Sequence, residues 1–360
     1  MADSDMGVDT DMMATADALI DLEAILAWLH QKGILCNAQT ATAERLEGGR
    51  SNVMFRLHVG GQRLVLRRPA KVAIERANDG MRREFHILQA LEHTPAPCPV
   101  PVALCEDEDV LGCVFYVMEE VDGIVPHGPA LAAFTADNSA RAELVFALVD
   151  ALGELHKVDW QAVGLSDFGK PEGFHERQVS RWSGQLASYG GREIPGMAEA
   201  GKWLETHIPK VWSPTIMHAD YHMFNVLIHP EPPARVVAIV DWETASIGDP
   251  FLDFIGFCEA WQSLRAEGGW PSYQEMMERY LQTRNDAAQN LSKPIPVLEP
   301  SPADQQYYAV LYNFRLAVLL EGIFQRSLQD PTRQDQHAIG ERALFNADRC
   351  SQLIADPGLL

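Results

Sequence analysis

The sequence is poor in basic residues. It contains 29 Lys and Arg against 50 Asp and Glu, which gives a net charge of −21. A surface of that sign repels phosphate backbones, so the composition argues against a nucleic-acid partner. It is compatible with a cationic substrate, but many globular proteins are acidic, and the charge therefore does not choose a substrate.

Cysteines and long apolar runs are also scarce. The six cysteines form no C-x-x-C pair, so we expect free thiols in a reducing compartment. No apolar run reaches the roughly 18 residues that span a membrane. The first Lys or Arg is Lys32, whereas a signal or transit peptide needs early positive charge. These absences predict a cytoplasmic protein with no membrane partner. Residues 1–14 are predicted to form a disordered acidic tail.

Short alternating segments dominate the first third of the chain after a predicted helix at Ala16–Gln31. They predict strands at Thr42–Glu47, Val53–Val59, Gln62–Arg68, Val102–Glu106 and Cys113–Val121. Gly60-Gly61 joins the second and third strands as a tight hairpin, one helix at about Asn78–Glu92 is inserted after them, and Glu106–Asp109 is the last turn.

Long helical patterns dominate after Val121, and two short strands, Val226–His229 and Val236–Val240, interrupt them. The helices are predicted at Ser139–Lys157, His175–Tyr189, Met197–His207, Phe251–Trp261, Ser272–Arg284, Pro302–Gln329 and Thr332–Leu353. The sequence therefore predicts an α+β fold with two lobes. The first, residues 15–121, holds a five-stranded antiparallel sheet with one helix; the second, 122–360, is mainly helical, and Met118–Gly123 is the hinge.

Three polar residues flank the two short strands predicted after Val121, and they have the spacing of a phosphoryl-transfer site. Asp220 lies in H-A-D-Y-H-M-F-N, Asn225 follows it by five residues, and Asp241 comes after a strand–turn–strand segment. In kinase-type sites one Asp contacts the acceptor hydroxyl, while an Asn and a second Asp hold Mg²⁺ against ATP. We therefore predict Asp220 as the catalytic residue and Asn225 and Asp241 as Mg²⁺ ligands. His218 is expected to brace this loop.

Two acidic residues follow in G-D-P-F-L-D-F. Asp249 precedes Pro250 at a predicted helix start, which favours a role as helix N-cap over direct chemistry. Asp253 is expected to anchor the catalytic loop.

A glycine-containing turn joins the first two strands as E-G-G-R-S-N, residues 47–52. Glycines let backbone N–H groups approach phosphates, and Gly49, Ser51 and Asn52 are candidate nucleotide contacts, although a plain hairpin turn is the alternative. This is not a Walker A loop, which needs G-K-[ST] and a following helix.

The third strand, Leu64-Val65-Leu66-Arg67-Arg68, supplies a cation. Arg67 is the predicted phosphate contact, and Arg68 is the competing choice, because strand alternation places the two on opposite faces. Glu84 on the inserted helix is predicted to pair with Arg67, with an exposed helical Glu as the alternative.

These motifs resemble the aminoglycoside phosphotransferase family of small-molecule kinases. Within it, the chain is similar to the kinase-like domains fused to some acyl-CoA dehydrogenases, through V-L-R-R-P at 65–69, R-E-F at 83–85, H-E-R-Q-V-S-R-W-S-G-Q at 175–185 and R-L-A-V-L-L-E-G-I-F-Q-R at 315–326. The resemblance implies a protein-kinase-like fold, ATP and Mg²⁺. The family's usual Lys is Arg67 here, as is typical of this subgroup, and the usual H-G-D reads H-A-D, with Ala219 expected to preserve activity.

The resemblance also implies a small-molecule hydroxyl acceptor, such as the hydroxyacyl-CoA thioesters of this subgroup. Arg177, Arg181 and Trp182 lie on one predicted helix and are candidate contacts for such an acidic acceptor, although a surface helix with a core Trp is the alternative. An aminoglycoside acceptor remains open, as does a nucleotide-binding pseudokinase. A protein kinase is disfavoured because A-P-E and an activation loop are missing. The oligomeric state stays open.

Overall fold

The computed structural model describes residues 20–35, 41–46, 52–70, 75–265, 268–288, 299–329 and 336–359. The chain divides into two compact units. The first comprises Met1–His93, Cys98–Asp122 and Asp241–Glu243, and the second comprises Thr94–Pro97, Gly123–Val240 and Thr244–Leu360. The division after Asp122 falls within the segment predicted as a hinge, and the short piece Asp241–Glu243 joins the first unit from far along the chain.

The first unit is built on a five-stranded sheet in the order β1-β2-β3-β5-β4, with every pair antiparallel. Its elements are α1 (Leu22–Gln31), β1 (Ala41–Leu46), β2 (Asn52–Val59), β3 (Gln62–Pro69), α2 (Glu75–Leu91), β4 (Pro101–Cys105), α3 (Glu108–Leu111) and β5 (Phe115–Glu119). The predicted sheet is thus confirmed strand by strand. The segment predicted as the turn Glu106–Asp109 instead begins α3, because Asp107 caps a short helix that Gly112 ends in the left-handed region.

The hairpin between β2 and β3 is set by two glycines. Gly60 and Gly61 have φ values of 57° and 87°, which residues with a Cβ rarely adopt. The turn that they form places Val59 opposite Gln62. This register fixes which face of β3 each arginine occupies. One face of the sheet packs on α1, where Trp28 contacts Phe115 edge-on at 5.1 Å between ring centroids.

The second unit is mainly helical. Its elements are α4 (Asn138–His156), α5 (Gln178–Ser188), α6 (Met197–Thr206), β6 (Thr215–Met217), β7 (Val226–Ile228), β8 (Val236–Ile239), β9 (Ser246–Gly248), α7 (Pro250–Arg265), α8 (Tyr273–Ala288), α9 (Pro302–Ser327) and α10 (Gln336–Ala355). The predicted helices agree with these bounds to within a few residues, and the predicted residues 332–335 lie outside the described part.

Two small sheets hold the loops of the second unit. The predicted hairpin is confirmed as β7 paired with β8, and a second pair, β6 with β9, was not predicted. The loop from His218 to Asn225 therefore begins at the end of β6 and ends at the start of β7. Within the described ranges no helix is long and apolar enough to cross a bilayer.

Candidate active site

The loop after β6 is held by the carboxylate of Asp253 on α7. Its Oδ2 accepts a hydrogen bond from the His218 backbone N–H at 2.6 Å, and its Oδ1 accepts one from the Ala219 N–H at 2.9 Å. Asp253 is itself buried, with the ring of His156 3.5 Å away. Charge-assisted hydrogen bonds of this kind are strong, so the predicted anchoring role of Asp253 is confirmed.

His218 also braces the loop, as predicted. Its ring Nε2 lies 2.9 Å from the carbonyl oxygen of Val240, while its own carbonyl accepts a hydrogen bond from the Thr244 hydroxyl at 2.9 Å. The ring is buried. His218 thereby links the start of the loop to the chain on both sides of Asp241.

Asp220 lies at the exposed end of this loop, with its side chain 53% exposed. The Asn225 amide donates to its Oδ2 at 3.1 Å and to its carbonyl at 3.0 Å, and the His222 ring lies 3.5 Å from the same Oδ2. Burial opposes ionisation, but His222, His218 and Asn225 outweigh it and lower the pKa of Asp220. The group that accepts the proton of an acceptor hydroxyl must be ionised and held in a fixed orientation.

Ala219 has a φ of 63°, in the left-handed region that costs a residue with a Cβ roughly 1–2 kcal/mol. We expect Ala219→Gly to raise the free energy of unfolding, by up to about 1 kcal/mol after the greater chain entropy of glycine is subtracted. Thermal unfolding measures this. Ala147→Gly in the middle of α4 is the control and should cost about 1 kcal/mol; a loss of stability in Ala219→Gly would contradict the strain.

The first unit gathers a second set of predicted residues around Arg67. Its Nε lies 2.8 Å from Glu84 Oε2, and its Nη2 lies 2.5 Å from Asp241 Oδ1. Tyr116 donates its hydroxyl to Glu84 Oε2 at 3.0 Å, and the Asn52 amide lies 3.4 Å from Glu84 Oε1. The predicted pair of Arg67 with Glu84 is therefore confirmed, and Asp241 joins it.

The charges of this cluster depend on one another. Burial raises the pKa of Glu84 to about 7, against the lowering effect of Arg67. Burial alone would lower the pKa of Arg67, but Tyr116, Glu84 and Asp241 together raise it, so the guanidinium stays charged. A permanent cation therefore stands beside Asp241, and near neutral pH a proton on Glu84 sets how much negative charge opposes it.

Arg68 lies on the opposite face of β3. It is 2% exposed, and its Nε donates to the Pro69 carbonyl at 3.3 Å.

We expect Arg67→Ala to raise the KM for ATP by roughly tenfold or more, since hydrogen bonds to charged groups contribute about 1.5–3 kcal/mol. Steady-state kinetics with ATP as the varied substrate measure this. Arg67→Lys should rescue only in part, because a point charge replaces a fork.

Arg68→Met is the matched control for this comparison. It keeps the side-chain volume in the buried position and should leave the KM for ATP unchanged, whatever it does to stability. A larger effect on KM from Arg68→Met than from Arg67→Ala would transfer the nucleotide contact to the other face of the strand.

Some predicted contacts fall elsewhere. Gly49 and Ser51 lie outside the described residues, so their predicted contacts with nucleotide stay predictions. Arg177 donates to the carbonyls of Lys170 and Glu172, in the segment before α5. Trp182 is 5% exposed and donates to Gln178 Oε1 at 3.0 Å, with the exposed Arg181 5.0 Å from its ring centroid. The role of these three in acceptor binding also stays a prediction.

Asp249 caps a helix, as predicted. Its Oδ1 accepts from the Phe251 N–H at 3.1 Å in the first turn of α7. Its Oδ2 lies 3.0 Å from the His175 ring and accepts from the Tyr308 hydroxyl at 2.6 Å. The carboxylate is fully buried, so it belongs to a structural network of the second unit.

Arg315 on α9 contacts the predicted catalytic loop, and sequence reasoning missed it. Its Nη2 donates to the Ala219 carbonyl at 3.4 Å, and its guanidinium lies 5.3 Å from the Trp182 ring centroid. Burial lowers its pKa, while the charges of Asp253 and Asp220 raise it. The signal available was its place at the start of the R-L-A-V-L-L-E motif, in which its side chain had no assigned role.

The predicted Mg²⁺ ligands belong to different units, and each has an oxygen to offer. The Asn225 amide nitrogen donates to Asp220, which leaves its amide oxygen without a hydrogen bond among the described residues. Asp241 uses Oδ1 toward Arg67, and its side chain is 35% exposed. Hard oxygen ligands of this kind suit Mg²⁺. Among the residues the structure describes, no group of three or more His, Cys, Asp or Glu is gathered as a metal site.

Asp241 also has an unusual backbone, with a φ of 68°. Non-glycine residues in this region cost of order 1–3 kcal/mol and cluster at functional sites. Asp tolerates it better than most residues.

Comparison with known proteins places these residues in a family. The model of the phosphotransferase enzyme family matches residues 42–288. Acyl-CoA dehydrogenase family member 10 of Mus musculus is 31% identical over 312 residues, which cover 82% of this chain and 28% of that protein. The chain spans well under half the length of the curated relatives it matches.

Solved structures agree. A crystal structure from Ralstonia eutropha, provisionally described as an aminoglycoside phosphotransferase, has a TM-score of 0.77 and 30% identity and covers 93% of this chain and 98% of its own. A mutant of aminoglycoside phosphotransferase APH(4)-Ia, in ternary complex with ADP and hygromycin B, has a TM-score of 0.50, 15% identity and coverages of 95% and 100%, and shows the same fold. The chain belongs to the phosphotransferase enzyme family and has its kinase-like two-lobe α+β fold.

Proposed function

We propose that this protein is an ATP- and Mg²⁺-dependent kinase that phosphorylates a hydroxyl group of a small molecule. The observation that supports it most is the catalytic loop, in which Asp220 is ionised, oriented by Asn225 and held in place through Asp253. Phosphoryl transfer requires positioning and charge neutralisation more than covalent chemistry. Each of these residues has a part in that task.

Asp220 would accept the hydrogen of the acceptor hydroxyl and hold its oxygen toward the phosphoryl group. Arg67 would contact the nucleotide phosphates, with Glu84 fixing its position, and Asn52 with Gly49 and Ser51 would line the nucleotide. Asn225 and Asp241 would hold Mg²⁺, which neutralises phosphate charge when bound. The ADP complex of APH(4)-Ia supports the choice of nucleotide.

A hydroxyacyl-CoA is the proposed acceptor. The similarity to acyl-CoA dehydrogenase family members supports it. Arg177, directly before α5, and Arg181 and Trp182 on α5 are the proposed contacts for an acidic acceptor. Arg181 is the residue of the three with an exposed side chain and no hydrogen bond or ion pair among the described residues, so it is the one free to meet a ligand.

An aminoglycoside is the second candidate acceptor, because the structural neighbours include aminoglycoside phosphotransferases. A pseudokinase that binds nucleotide without transfer is the third candidate. Pseudokinases usually lack one of the catalytic residues, whereas Asp220, Asn225 and Asp241 are all present.

The test is ADP release with Mg-ATP in the presence of hydroxyacyl-CoA thioesters, aminoglycosides and amino alcohols, with mass spectrometry of the products. We expect a phosphorylated hydroxyacyl thioester. Transfer to kanamycin-like compounds alone would reject the hydroxyacyl acceptor and keep the kinase. Nucleotide binding without transfer to any acceptor would favour the pseudokinase.

A further inference from the structure

A cavity of about 760 Å³ lies on the second unit, with Asp220 and His222 on its wall. Its size is within the range of small-molecule sites. All of its lining residues belong to the second unit, on the catalytic loop, α7, α9 and α10. A compound bound there would present its hydroxyl to Asp220.

Aromatic and aliphatic side chains make up much of this cavity. Phe257 and Trp261 of α7 and Leu316 of α9 line it, and two further aromatic residues are unusually open to solvent: Phe224 is 53% exposed and Phe345 is 65% exposed. Exposed large apolar side chains that share one concave surface mark a binding site more often than isolated ones do. These side chains would suit a ligand with an apolar body.

The cavity has one carboxylate besides the exposed Asp220, and this carboxylate, that of Glu259, is buried and paired. Glu259 accepts from Arg349 through both oxygens, at 3.0 and 3.1 Å, and from the Asn313 amide at 3.0 Å. Its side chain is 5% exposed. Glu259 and Arg349 thus neutralise each other, and Glu259 has no free oxygen to attract a cationic ligand.

Arg342 is the charged residue that remains. It is exposed and lines the cavity from α10, on the same helical face as Phe345, Asn346 and Arg349, which follow it by three, four and seven residues. In the part of the chain that the structure describes, its guanidinium makes no ion pair or hydrogen bond. The charges of the cavity that a ligand could meet are therefore Asp220, which faces His222 where transfer would occur, and the cation of Arg342.

We infer that Arg342 determines acceptor specificity by binding an anionic group of an amphipathic hydroxyl compound. The hydroxyl lies at Asp220, the apolar body lies along the aromatic side chains, and the carboxylate or phosphate lies at Arg342. This inference rests on the proposed function for the meaning of Asp220. It disfavours polycationic acceptors, which would meet a single exposed carboxylate, that of Asp220, and an arginine.

The experiment uses three probes that differ in charge at one end: hydroxydecanoate, decanediol and aminodecanol, each with a hydroxyl at the other end. Binding is measured by calorimetry without nucleotide and by intrinsic tryptophan fluorescence, to which Trp261 of the cavity contributes. We expect the anion to bind roughly 10- to 100-fold more tightly than the cation, as a charged hydrogen bond allows. Arg342→Ala should abolish this preference, and Arg342→Glu should invert it.

Three further variants separate the charge of Arg342 from apolar contact, from net charge and from the residues proposed on α5. Phe345→Ala, at an exposed position, should weaken all three probes by a similar factor of roughly ten. Lys202→Ala, at an exposed position of α6 that does not line the cavity, should leave the preference for the anion unchanged, and Arg181→Ala tests the alternative site at α5. If Arg181→Ala abolishes the preference and Arg342→Ala does not, the anion binds at α5 and the inference is overturned.

The outcomes also distinguish this inference from the kinase proposal. Retention of the anion preference in Arg342→Ala, or no binding of any probe by a protein that binds Mg-ATP, overturns the inference alone. Failure to bind Mg-ATP or to transfer phosphate to any acceptor rejects the proposed function, while the comparison of the three probes still decides whether Arg342 selects an anion.

Discussion

Asp220→Asn should reduce phosphoryl transfer by roughly 10²- to 10⁴-fold, the usual consequence of removing a general base. The affinity for Mg-ATP should change little, because the nucleotide contacts proposed here come from Arg67 and the metal ligands. The turnover number measures the first effect and calorimetry with Mg-ATP the second. A variant that turns over at nearly the rate of the original would exclude Asp220 from the mechanism.

The substitution is informative because its structural cost is small. Asp220 is half exposed, and its side chain receives one hydrogen bond from Asn225 and faces His222. Asparagine keeps the shape and an oxygen that Asn225 can still reach, but it loses the negative charge. The loop itself is held by Asp253 through backbone groups of His218 and Ala219, which the substitution leaves untouched. Unchanged thermal unfolding would show that the loss is chemical.

Asp253→Asn is the matched comparison, since it alters a carboxylate that supports the loop without reaching the reactants. One of its two hydrogen bonds from the loop would be lost or weakened, because an amide offers a single acceptor oxygen. We expect it to lower stability as well as turnover, whereas Asp220→Asn lowers turnover alone.

Local sequence signals predicted most of the fold, because they act over short distances. Gly60-Gly61 specified the hairpin, and alternation along β3 placed Arg67 and Arg68 on opposite faces. The pair β6 and β9 was missed because each strand has three residues and the partners, Thr215–Met217 and Ser246–Gly248, lie about thirty residues apart. Such strands exist through tertiary hydrogen bonds and leave little pattern in the sequence.

The candidate site shows the same limit. The five-residue spacing predicted Asp220 and Asn225 as residues of one site, and in the structure the Asn225 amide lies 3.1 Å from Asp220 Oδ2. The absence of an ion pair for Arg342 among the described residues could not be predicted, because it depends on Glu259 pairing with Arg349 rather than with Arg342. The contact of Arg315 with the Ala219 carbonyl likewise joins residues 96 positions apart.

Asp241→Ala should remove the Mg²⁺ dependence of nucleotide binding and weaken Mg-ATP by at least roughly 100-fold. Substitutions of residues that only support a metal ligand typically cost 10- to 100-fold in metal affinity, so loss of a ligand should cost no less. Asp241 uses one oxygen toward Arg67 and is 35% exposed, which leaves the carboxylate able to bind a metal. No other carboxylate is proposed as a ligand, so we expect no replacement.

The substitution also changes the surroundings of Arg67. Without Asp241, the guanidinium keeps Glu84 as its partner at 2.8 Å. Burial raises the pKa of Glu84 to about 7, Arg67 lowers it, and the negative charge of Asp241, which also raises it, would be gone. The pKa of Glu84 should therefore fall, and the cluster should keep its ion pair. Nucleotide binding without metal should for that reason survive, because Arg67 still offers its charge to the phosphates.

Calorimetry with ATP, in the presence of Mg²⁺ and of a chelator, separates the two contributions. We expect the original protein to bind ATP more tightly with Mg²⁺, and Asp241→Ala to bind it with the same low affinity under both conditions. Asp241→Asn keeps one oxygen, and its affinity for Mg-ATP should lie between those of the original protein and Asp241→Ala. Asn225→Ala should show the same loss of metal dependence if both residues hold one ion. Unchanged affinity and unchanged metal dependence in Asp241→Ala would show that the metal is held by other groups.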